Sequence, residues 1–462
     1  MPDLTPAVSR LFVANRGEIA LRAVRAAQAL GIPAVLGVSK ADKESLAARS
    51  ADRVVVLGPA PARDSYLNAR LIVHAATQTG CTLLHPGYGF LSERAELAEL
   101  CAQEGIVFVG PTAASIRQVG DKLSARAMAK LAGVPMTSGS DAVADLAHAL
   151  RSAELIGYPV ITKASAGGGG RGMLVAHTPE ELAAAFDQAV TTAREAFGDG
   201  TLFIERYVEV ARHVEVQVMG DGRGGVIHFG ERDCSVQRRY QKMIEEAPAA
   251  ILPEDVRGRL HAAAVALLSS INYRNAGTVE FLYDVEHQTF SFMEVNARIQ
   301  VEHPVSEAIT GADLVQMQIR IAQGSCGALE QADISTRGHA IEARILAEDP
   351  RRDFAPCPGR ITRWSPPQGP GIRVDTAMET GTLVPPYYDS MIAKLIVLAD
   401  TREAAVELLA RALDDFAVEG IETNIPLLKY IAAHRDFREN RIDTRWLETT
   451  VLPAFRAQQG IN

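Results

Sequence analysis

Residues 10–38 read RLFVANRGEIALRAVRAAQALGIPAVLGV, and this segment determines the fold class of the chain. Arg10–Ala14 is a short apolar stretch of strand length. Gly17–Leu30 then repeats apolar residues at helical spacing, and Gly31 ends the pattern. Ile32–Val38 is a second apolar stretch. A strand, a helix and a strand in this order, with strands that are apolar throughout, predict a parallel sheet covered on both faces.

The same alternation of strands and helices continues to about residue 110. The first turn, Asn15-Arg16-Gly17-Glu18, lacks the GxGxxG spacing, so a dinucleotide-binding fingerprint is not supported. The further elements predicted by the pattern are strand Arg53–Leu57, helix Tyr66–Thr79, strand Thr82–His85, helix Ser92–Gln103 and strand Ile106–Val109.

The composition excludes several classes of protein. The 462 residues include 47 Lys and Arg against 56 Asp and Glu, a net charge of −9, and no basic block that would indicate nucleic-acid binding. No apolar run approaches the ~18 residues that a membrane helix needs, and residues 1–13 lack the pattern of a secretory signal. The five cysteines contain no CxxC pair, so neither a disulfide framework nor a zinc site is indicated. We expect a protein of a reducing compartment, the cytoplasm.

A glycine-rich loop lies between two predicted strands, Tyr158–Ala164 and Met173–Ala176. It reads Ser165-Ala-Gly-Gly-Gly-Gly-Arg-Gly172, and its N–H groups are suited to binding an anion. A P-loop leads into a helix, whereas here the loop joins two strands and Lys163 precedes it. The pattern favours a glycine flap that folds over a triphosphate. The alternative is a flexible hairpin loop.

Residues 294–302, EVNARIQVE, alternate polar and apolar side chains. In an extended strand, the polar side chains of Glu294, Asn296, Arg298, Gln300 and Glu302 would share one face. The usual meaning of such alternation is a solvated outer face of an antiparallel sheet. The alternative hypothesis is that this polar face forms part of a functional site.

The preceding strand favours that hypothesis. Thr278–Asp284 and Thr289–Val295 flank a short turn, which predicts a hairpin. If Asp284 pairs with Phe290, Glu280 lies opposite Glu294, and like charges in that position destabilise a strand pair. A divalent cation would remove the conflict, and Mg²⁺ prefers carboxylate oxygens.

Other candidates are less specific. Residues 231–242, ERDCSVQRRYQK, concentrate Arg232, Arg238, Arg239 and Lys242, which indicates either a solvated loop or an anion site. Residues 85–90, HPGYGF, follow a predicted parallel strand, where α/β sheets present ligands. For Cys234 a buried thiol is favoured over a nucleophile, and His213 by residue type alone would more often be structural.

Together these motifs resemble one family, biotin carboxylase, whose members are ATP-grasp enzymes. The matching segments span nearly the whole chain. They are ANRGEIALR (14–22), HPGYGFLSE (85–93), GDK (120–122), KASAGGGGRGM (163–173), RHVEVQV (212–218), ERDCSVQRRYQK (231–242), NARIQVEHPV (296–305), EARILAEDP (342–350) and PPYYDSMIAKL (385–395).

The resemblance implies an α/β fold of three domains, a number that the chain length also suggests. The expected domains are a Rossmann-like N-terminal domain (1–120), an ATP-grasp domain (121–335) with a mobile lid (about 141–209), and a mixed, mostly β C-terminal domain (336–455).

The resemblance also implies roles for individual residues. Glu302 is expected to be the base that deprotonates bicarbonate, and Arg344 to stabilise the enolate of biotin. The expected ATP contacts are Lys122, Lys163, Gly168, Gly169, Gly170, Met173, Glu205, Val208, His213, Gln237 and Leu282. The expected Mg²⁺ or Mn²⁺ ligands, for two ions, are Glu280, Glu294 and Asn296. The expected pocket for bicarbonate and biotin consists of Lys242, Arg298, Gln300, Val301, Tyr88 and Arg344, of which Lys242, Arg298 and Arg344 with Glu302 are the catalytic set.

The implied reaction is ATP-dependent activation of bicarbonate to carboxyphosphate, followed by carboxylation of biotin. The pair Met-Lys, which marks a biotinylated carrier domain, does not occur in this sequence. The chain therefore resembles the stand-alone biotin carboxylase component of an acetyl-CoA or other acyl-CoA carboxylase, which works with a separate biotin carboxyl carrier protein and carboxyltransferase subunits. A homodimer that uses helix Gly17–Leu30 and the C-terminal domain is expected.

The sequence departs from the family at three places. Tyr240 replaces a usual histidine, Val295 replaces a usual methionine, and Thr444-Arg445-Trp446 does not match the expected adenine-pocket pattern. Two alternatives stay open at this point: another ATP-grasp ligase, which the segment NARIQVEHP disfavours, and a non-catalytic nucleotide-binding paralogue, which only Tyr240 supports. The final carboxyl acceptor is not encoded in this chain.

Overall fold

The computed structural model describes residues 9–165 and 173–460. Its first part is a parallel sheet of five strands in the order β3-β2-β1-β4-β5, which confirms the predicted α/β fold. Helix α3 begins three residues later than predicted, because the Asn68 side chain accepts the N–H of Leu71 at 3.0 Å and caps the helix there. The elements are β1 (Leu11–Val13), α1 (Gly17–Ala29), β2 (Ala34–Ser39), α2 (Leu46–Ser50), β3 (Arg53–Gly58), α3 (Ala69–Gln78), β4 (Leu83–His85), α4 (Ala95–Gln103) and β5 (Val107–Phe108).

The next segment contains a small antiparallel sheet in the order β7-β6-β8, with two helices packed on it. Strands β6 and β7 pair through Val160 and Ala176, so the predicted hairpin is present. Residues 166–172, which include Gly168, Gly169 and Gly170, lie outside the described residues. The elements are α5 (Ala113–Gly120), α6 (Lys122–Leu131), α7 (Leu146–Ile156), β6 (Val160–Ala164), β7 (Leu174–Ala176), α8 (Pro179–Phe197) and β8 (Leu202–Arg206).

An antiparallel sheet of eight strands runs through the rest of the molecule in the order β13-β12-β9-β10-β11-β14-β21-β19. Its members from the central part of the chain are β9 (Ala211–Asp221), β10 (Val226–Arg238), β11 (Gln241–Ala247), β12 (Arg274–Asp284) and β13 (Thr289–Asn296), accompanied by α9 (Glu254–Ser269), α10 (His303–Thr310) and α11 (Leu314–Ala322).

The C-terminal part supplies the remaining strands and several short strand pairs. Because β11 pairs with β14, the large sheet continues across residue 336, and the division into domains stays a prediction. The elements are β14 (His339–Leu346), β15 (Glu348–Asp349), β16 (Ala355–Pro356), β17 (Gly359–Arg360), β18 (Arg363–Ser365), β19 (Ile372–Thr376), β20 (Leu383–Val384), β21 (Met391–Ala399), α12 (Arg402–Asp415), β22 (Ala417–Glu419), α13 (Ile425–Ala433), α14 (Arg435–Arg438), a π-helix (Leu447–Val451) and α15 (Leu452–Gln458).

One apolar core joins the parallel sheet to the large sheet. Phe12 and Leu84 of the first and Val216 and Phe281 of the second are buried in the same cluster. Burial of each such side chain contributes about 1.5–3 kcal/mol, so the two sheets are held firmly in one relative position.

The helices of the described part are amphipathic or short, and none among residues 9–165 and 173–460 combines the length and apolar character that a bilayer span requires. All five cysteines are free thiols.

Candidate active site

A single cavity of about 870 Å³ collects the predicted site residues. Its walls come from the β1–α1 turn, strands β6 and β8, the large sheet and the segment around Tyr388. Every predicted site residue that the structure describes lines it; Gly168, Gly169 and Gly170 lie outside the described residues. These lining residues are Tyr88, Lys122, Lys163, Met173, Glu205, Val208, His213, Gln237, Lys242, Glu280, Leu282, Glu294, Asn296, Arg298, Gln300, Val301, Glu302 and Arg344.

The prediction that residues 294–302 form one extended strand is wrong. Strand β13 ends at Asn296, and the chain then turns into helix α10, which has Pro304 in its first turn. The polar side chains still converge, because hydrogen bonds connect them around the turn. Arg298 donates to Asn296 Oδ1 at 2.9 Å and to Gln300 Oε1 at 2.6 Å, and Gln300 donates to Glu280 Oε1 at 3.1 Å.

The predicted register of the β12–β13 hairpin is wrong at the turn and right at the site. Asp284 pairs with Thr289, not with Phe290. A bulge between Glu280 and Phe281 shifts the register by one residue, and Glu280 therefore still lies opposite Glu294. Both residues line the cavity.

These two carboxylates form the candidate metal site. Burial, together with the nearby charge of Glu280, raises the pKa of Glu294, so the site favours a cation between them. His213 Nε2 lies 3.1 Å from Glu280, and Asn296 donates its amide to the same carboxylate at 2.9 Å. Carboxylate and amide oxygens fit the preference of Mg²⁺ and Mn²⁺. Among the described residues, a second arrangement with ligand spacing is His213, Glu215 and Glu280, a set that includes the unpredicted Glu215.

Lys242 is the charge centre of the cavity floor. Its Nζ lies 2.6 Å from Glu215, 3.0 Å from Glu280 and 2.7 Å from Glu302. Burial opposes the charge of Lys242, but the three carboxylates outweigh it and raise its pKa well above the usual value. Sequence reasoning missed Glu215, although the spacing RHVEVQV places it on the same strand face as His213.

Glu302 is completely buried and lies between two cations. Besides Lys242 it accepts a hydrogen bond from Arg344 at 2.9 Å. Burial disfavours the ionised form, but Lys242, Arg344 and Arg232 outweigh it and hold the pKa of Glu302 well below its usual range. Its partners therefore hold Glu302 as a carboxylate of low basicity.

Another part of the cavity wall is rich in cations. Lys163 and Arg126 both pair with the buried carboxylate of Glu205, and Lys122 lies near them. Burial and the charges of Lys122 and Arg126 lower the pKa of Lys163 to about 8. Two of the three cations share the single carboxylate of Glu205, so the cluster keeps an excess of positive charge that is suited to binding a polyphosphate. Sequence reasoning missed Arg126, one helical turn after Lys122, because nothing in the pattern distinguished it from a solvated residue.

The basic segment 231–242 divides into two parts. Arg232 is buried against Glu215 at 2.6 Å, whereas Arg238 stacks on Phe354 outside the cavity. Cys234 is buried, as predicted, and burial raises the pKa of its thiol. Of the four basic residues in this segment, only Arg239 and Lys242 line the cavity, where they could contact a bound anion.

Tyr240 lies at the cavity wall with a left-handed backbone conformation, φ 65°, in the turn between β10 and β11. Its side chain is 54% exposed. The neighbouring Arg239 N–H donates to the carboxylate of Glu448, which also lines the cavity. Of the unusual segment 444–446, Thr444 and Arg445 line the cavity, while Trp446 is buried in the core.

Comparison with known proteins agrees with this geometry. Three family models match consecutive parts of the chain: "Biotin carboxylase, N-terminal domain" matches residues 7–116, "Carbamoyl-phosphate synthase L chain, ATP binding domain" 121–329, and "Biotin carboxylase C-terminal domain" 342–449. The chain is 48% identical over 443 residues to Biotin carboxylase 1 of Bacillus subtilis (strain 168), which covers 96% of this chain and 98% of that protein.

The chain belongs to the biotin carboxylase family.

Two further members of the family extend the comparison. A pyruvate carboxylase subunit from Methanothermobacter thermautotrophicus is 48% identical, over 95% of this chain and 89% of that one. The biotin carboxylase domain dimer of Hydrogenobacter thermophilus 2-oxoglutarate carboxylase, solved with MgADP, ADP and bicarbonate, superposes with a TM-score of 0.91 at 45% identity, covering 97% of this chain and 98% of that one. Family membership confirms the resemblance found in the sequence and favours an ATP-dependent ligase over a non-catalytic paralogue.

Proposed function

We propose that this protein carboxylates biotin in a reaction that consumes ATP and bicarbonate and passes through carboxyphosphate. The observation that carries the proposal is the fully buried Glu302, clamped between Lys242 and Arg344 in the cavity that also contains Lys122 and Lys163. A base, a phosphate-binding end and a set of anion-binding cations in one cavity are what the reaction needs.

At the phosphate end, Lys122 and Lys163 would bind and orient the nucleotide phosphates. Positioning and charge neutralisation dominate phosphoryl transfer, and these ammonium groups supply both. Glu205, Val208, His213, Gln237 and Leu282, with Met173 and Gly168, Gly169 and Gly170, complete the proposed nucleotide contacts.

At the other end, Lys242 and Arg298 would hold bicarbonate together with Gln300 and the Val301 backbone. A bound anion competes for the N–H donors that now restrain Glu302. Each donor that it takes releases the pKa of Glu302 toward its ordinary value, so substrate binding itself activates the base. The proton of bicarbonate then passes to a Glu302 oxygen. The bicarbonate oxygen attacks the terminal phosphorus of ATP, the bond from that phosphorus to the β-phosphate oxygen breaks, and ADP leaves.

Carboxyphosphate formed in this way breaks down to CO₂ and phosphate. The phosphate removes the N1′ proton of biotin, whose enolate form then attacks CO₂ through N1′ to give carboxybiotin. Arg344 would stabilise the resulting enolate, because its guanidinium lies beside Glu302 at the same end of the cavity. Tyr88, whose hydroxyl donates to Glu18, would form the wall of the biotin pocket.

Glu280, Glu294 and Asn296 would hold Mg²⁺ or Mn²⁺, with two ions proposed. When bound, such ions neutralise charge on the nucleotide phosphates. The fit rests on the opposed carboxylates of the hairpin, whose repulsion a cation relieves.

The proposed partners are a biotin carboxyl carrier protein, carboxyltransferase subunits and a second copy of this chain, in the cytoplasm. The proposed reaction fits acetyl-CoA carboxylation for fatty-acid synthesis. The similarity to a pyruvate carboxylase subunit makes pyruvate carboxylation a second candidate. In α1 the exposed residues are Arg25, Gln28 and Ala29, and these would contribute to a dimer contact together with the C-terminal part.

The decisive test of the proposal is ADP release measured with and without bicarbonate, and with and without free biotin. We expect hydrolysis that requires bicarbonate and rises with biotin. Hydrolysis that is indifferent to both, or that instead requires an amine acceptor, would favour another ATP-grasp ligase.

Removing either candidate metal ligand should raise the Mg²⁺ requirement steeply. Glu280→Ala and Glu294→Ala each delete one of two opposed carboxylates, and a single carboxylate attracts a cation more weakly. The measurement is the Mg²⁺ concentration at half-maximal ATP cleavage. Glu254→Ala, an exposed glutamate in the first turn of α9, serves as control. Titration curves that superpose for all three variants and the unchanged protein would remove the metal site.

Replacing Tyr240 by histidine should change ATP affinity by no more than about 10-fold, the ~1.4 kcal/mol of one modest polar contact. Tyrosine donates one O–H bond but carries no charge near neutral pH, and Arg239 and Lys242 already supply cations at this wall. The measurement is the ATP KM. If the unchanged protein shows no bicarbonate-dependent turnover and Tyr240→His restores it by orders of magnitude, the non-catalytic alternative is right.

A further inference from the structure

Behind Arg344 lies a pair of buried carboxyl groups that the proposed reaction does not use. Glu245 on β11 is the direct cross-strand partner of Glu342 on β14, and both side chains are completely buried. Arg344 follows Glu342 by two residues on the same strand and therefore lies on the same face. The site thus has two buried acidic groups near Arg344.

The guanidinium of Arg344 divides its donors between two carboxylates. Its Nε donates to Glu245 Oε1 at 2.6 Å, and its Nη2 donates to Glu302 Oε2 at 2.9 Å. We propose that Glu245 is the positioning residue of Arg344. Its carboxylate holds Nε of the guanidinium and so keeps Nη2 at Glu302 and at the substrate. The inference rests on the role proposed above for Arg344.

Glu342 completes the arrangement as a neutral acid. Among the described residues, neither of its carboxyl oxygens has a hydrogen-bond partner. A buried ionised carboxylate without a partner is very costly, so Glu342 keeps its proton. The cation on the neighbouring strand, Lys394, directs its Nζ to Glu18 and to the carbonyl of Val301, each at 3.0 Å.

The charges around the pair agree with this distribution. Burial, only partly offset by Lys394 and Arg344, raises the pKa of Glu342 well above its usual value, and Glu245 and Glu302 raise it further. Burial also raises the pKa of Glu245, to about 7, and Arg344 opposes that rise. Of the two carboxyl groups, Glu245 is the one that contacts Arg344, and that contact stabilises its ionised form.

Without the Glu245 carboxylate, Arg344 is free to pair entirely with Glu302. That rearrangement withdraws the guanidinium from biotin and restrains the base more strongly. For E245Q we expect the biotin-dependent kcat to fall 10- to 100-fold, the scale that misplacement of a catalytic group produces, with the ATP KM within twofold. Glu245→Asp keeps the charge one methylene farther away, and its kcat should lie between those of E245Q and the unchanged protein.

The matched control is the next residue on the same strand. Glu246 faces the opposite side, where it pairs with Arg402 at 2.7 Å and His339 at 2.8 Å, outside the cavity. E246Q also deprives a buried arginine of its acidic partner, so it should lower the thermal midpoint while leaving the biotin-dependent kcat unchanged. A kcat for E245Q within twofold of the unchanged protein, or an equal loss of kcat in E245Q and E246Q, would overturn the inference.

Arg344→Lys separates this inference from the proposed function. Lysine keeps the charge but cannot bridge two carboxylates as the guanidinium does. If R344K retains the full biotin-dependent rate, the role of Arg344 itself is wrong. If R344K loses that rate and E245Q and E245D retain it, only the positioning role of Glu245 is wrong.

Discussion

Glu302→Gln is expected to lower biotin-stimulated, bicarbonate-dependent ATP cleavage by about 10²- to 10⁴-fold, the usual cost of losing a general base. The amide keeps the shape of the side chain, and its oxygen can still accept a hydrogen bond from Arg344 or Lys242. It cannot accept the proton of bicarbonate. The measurement is ADP release at saturating ATP and bicarbonate, combined with a direct measurement of nucleotide affinity. That affinity should change little because Glu302 pairs with Lys242 and Arg344, whereas Lys163 pairs with Glu205.

Glu307→Gln is a suitable control for this prediction. Glu307 is a buried glutamate on α10, five residues later, and pairs with Arg22 and Arg373 outside the cavity. The control loses a buried carboxylate but keeps the base, so its turnover should resemble that of the unchanged protein. Turnover of Glu302→Gln within twofold of the unchanged protein would exclude Glu302 as the base.

Lys242→Met is expected to abolish turnover and to destabilise the fold by about 3–5 kcal/mol, the cost of breaking a buried ion pair from one side. Methionine fills most of the space but leaves Glu215, Glu280 and Glu302 without their shared cation. The measurements are bicarbonate-dependent ATP cleavage and the midpoint of thermal unfolding. Because Glu280 and Glu302 then lose a cation that lowers their pKa values, the midpoint should partly recover as the pH falls and they take up protons.

The control for the stability part is Lys429→Met on α13. Lys429 pairs with Asp414 at 3.2 Å, and both side chains are substantially exposed. Such surface pairs are worth about 0–1 kcal/mol, so the midpoint should scarcely move. A Lys242 variant that unfolds at the temperature of the Lys429 variant and shows no recovery in acid would refute the description of Lys242 as the charge centre.

The sequence by itself determined the classes of element and the chemistry of the site. Apolar periodicity located the strands and helices of the parallel sheet to within a few residues, because burial selects apolar side chains at the spacing of each element. Residue type also separated carboxylates that suit a cation from ammonium groups that suit phosphate. The motifs identified the family, since nine of them occur in order along the chain.

Only the tertiary structure decided which of those groups meet. The convergence of residues 294–302 depends on a turn into α10 and not on a strand, and the opposition of Glu280 and Glu294 depends on a bulge that no local pattern announced. Glu245 lies far from Arg344 along the chain and reaches it because β11 pairs with β14. Local sequence determines the conformational preference of the backbone. Pairing between distant strands depends on burial and hydrogen bonding summed over the whole fold, and this pairing decides which charged side chains meet.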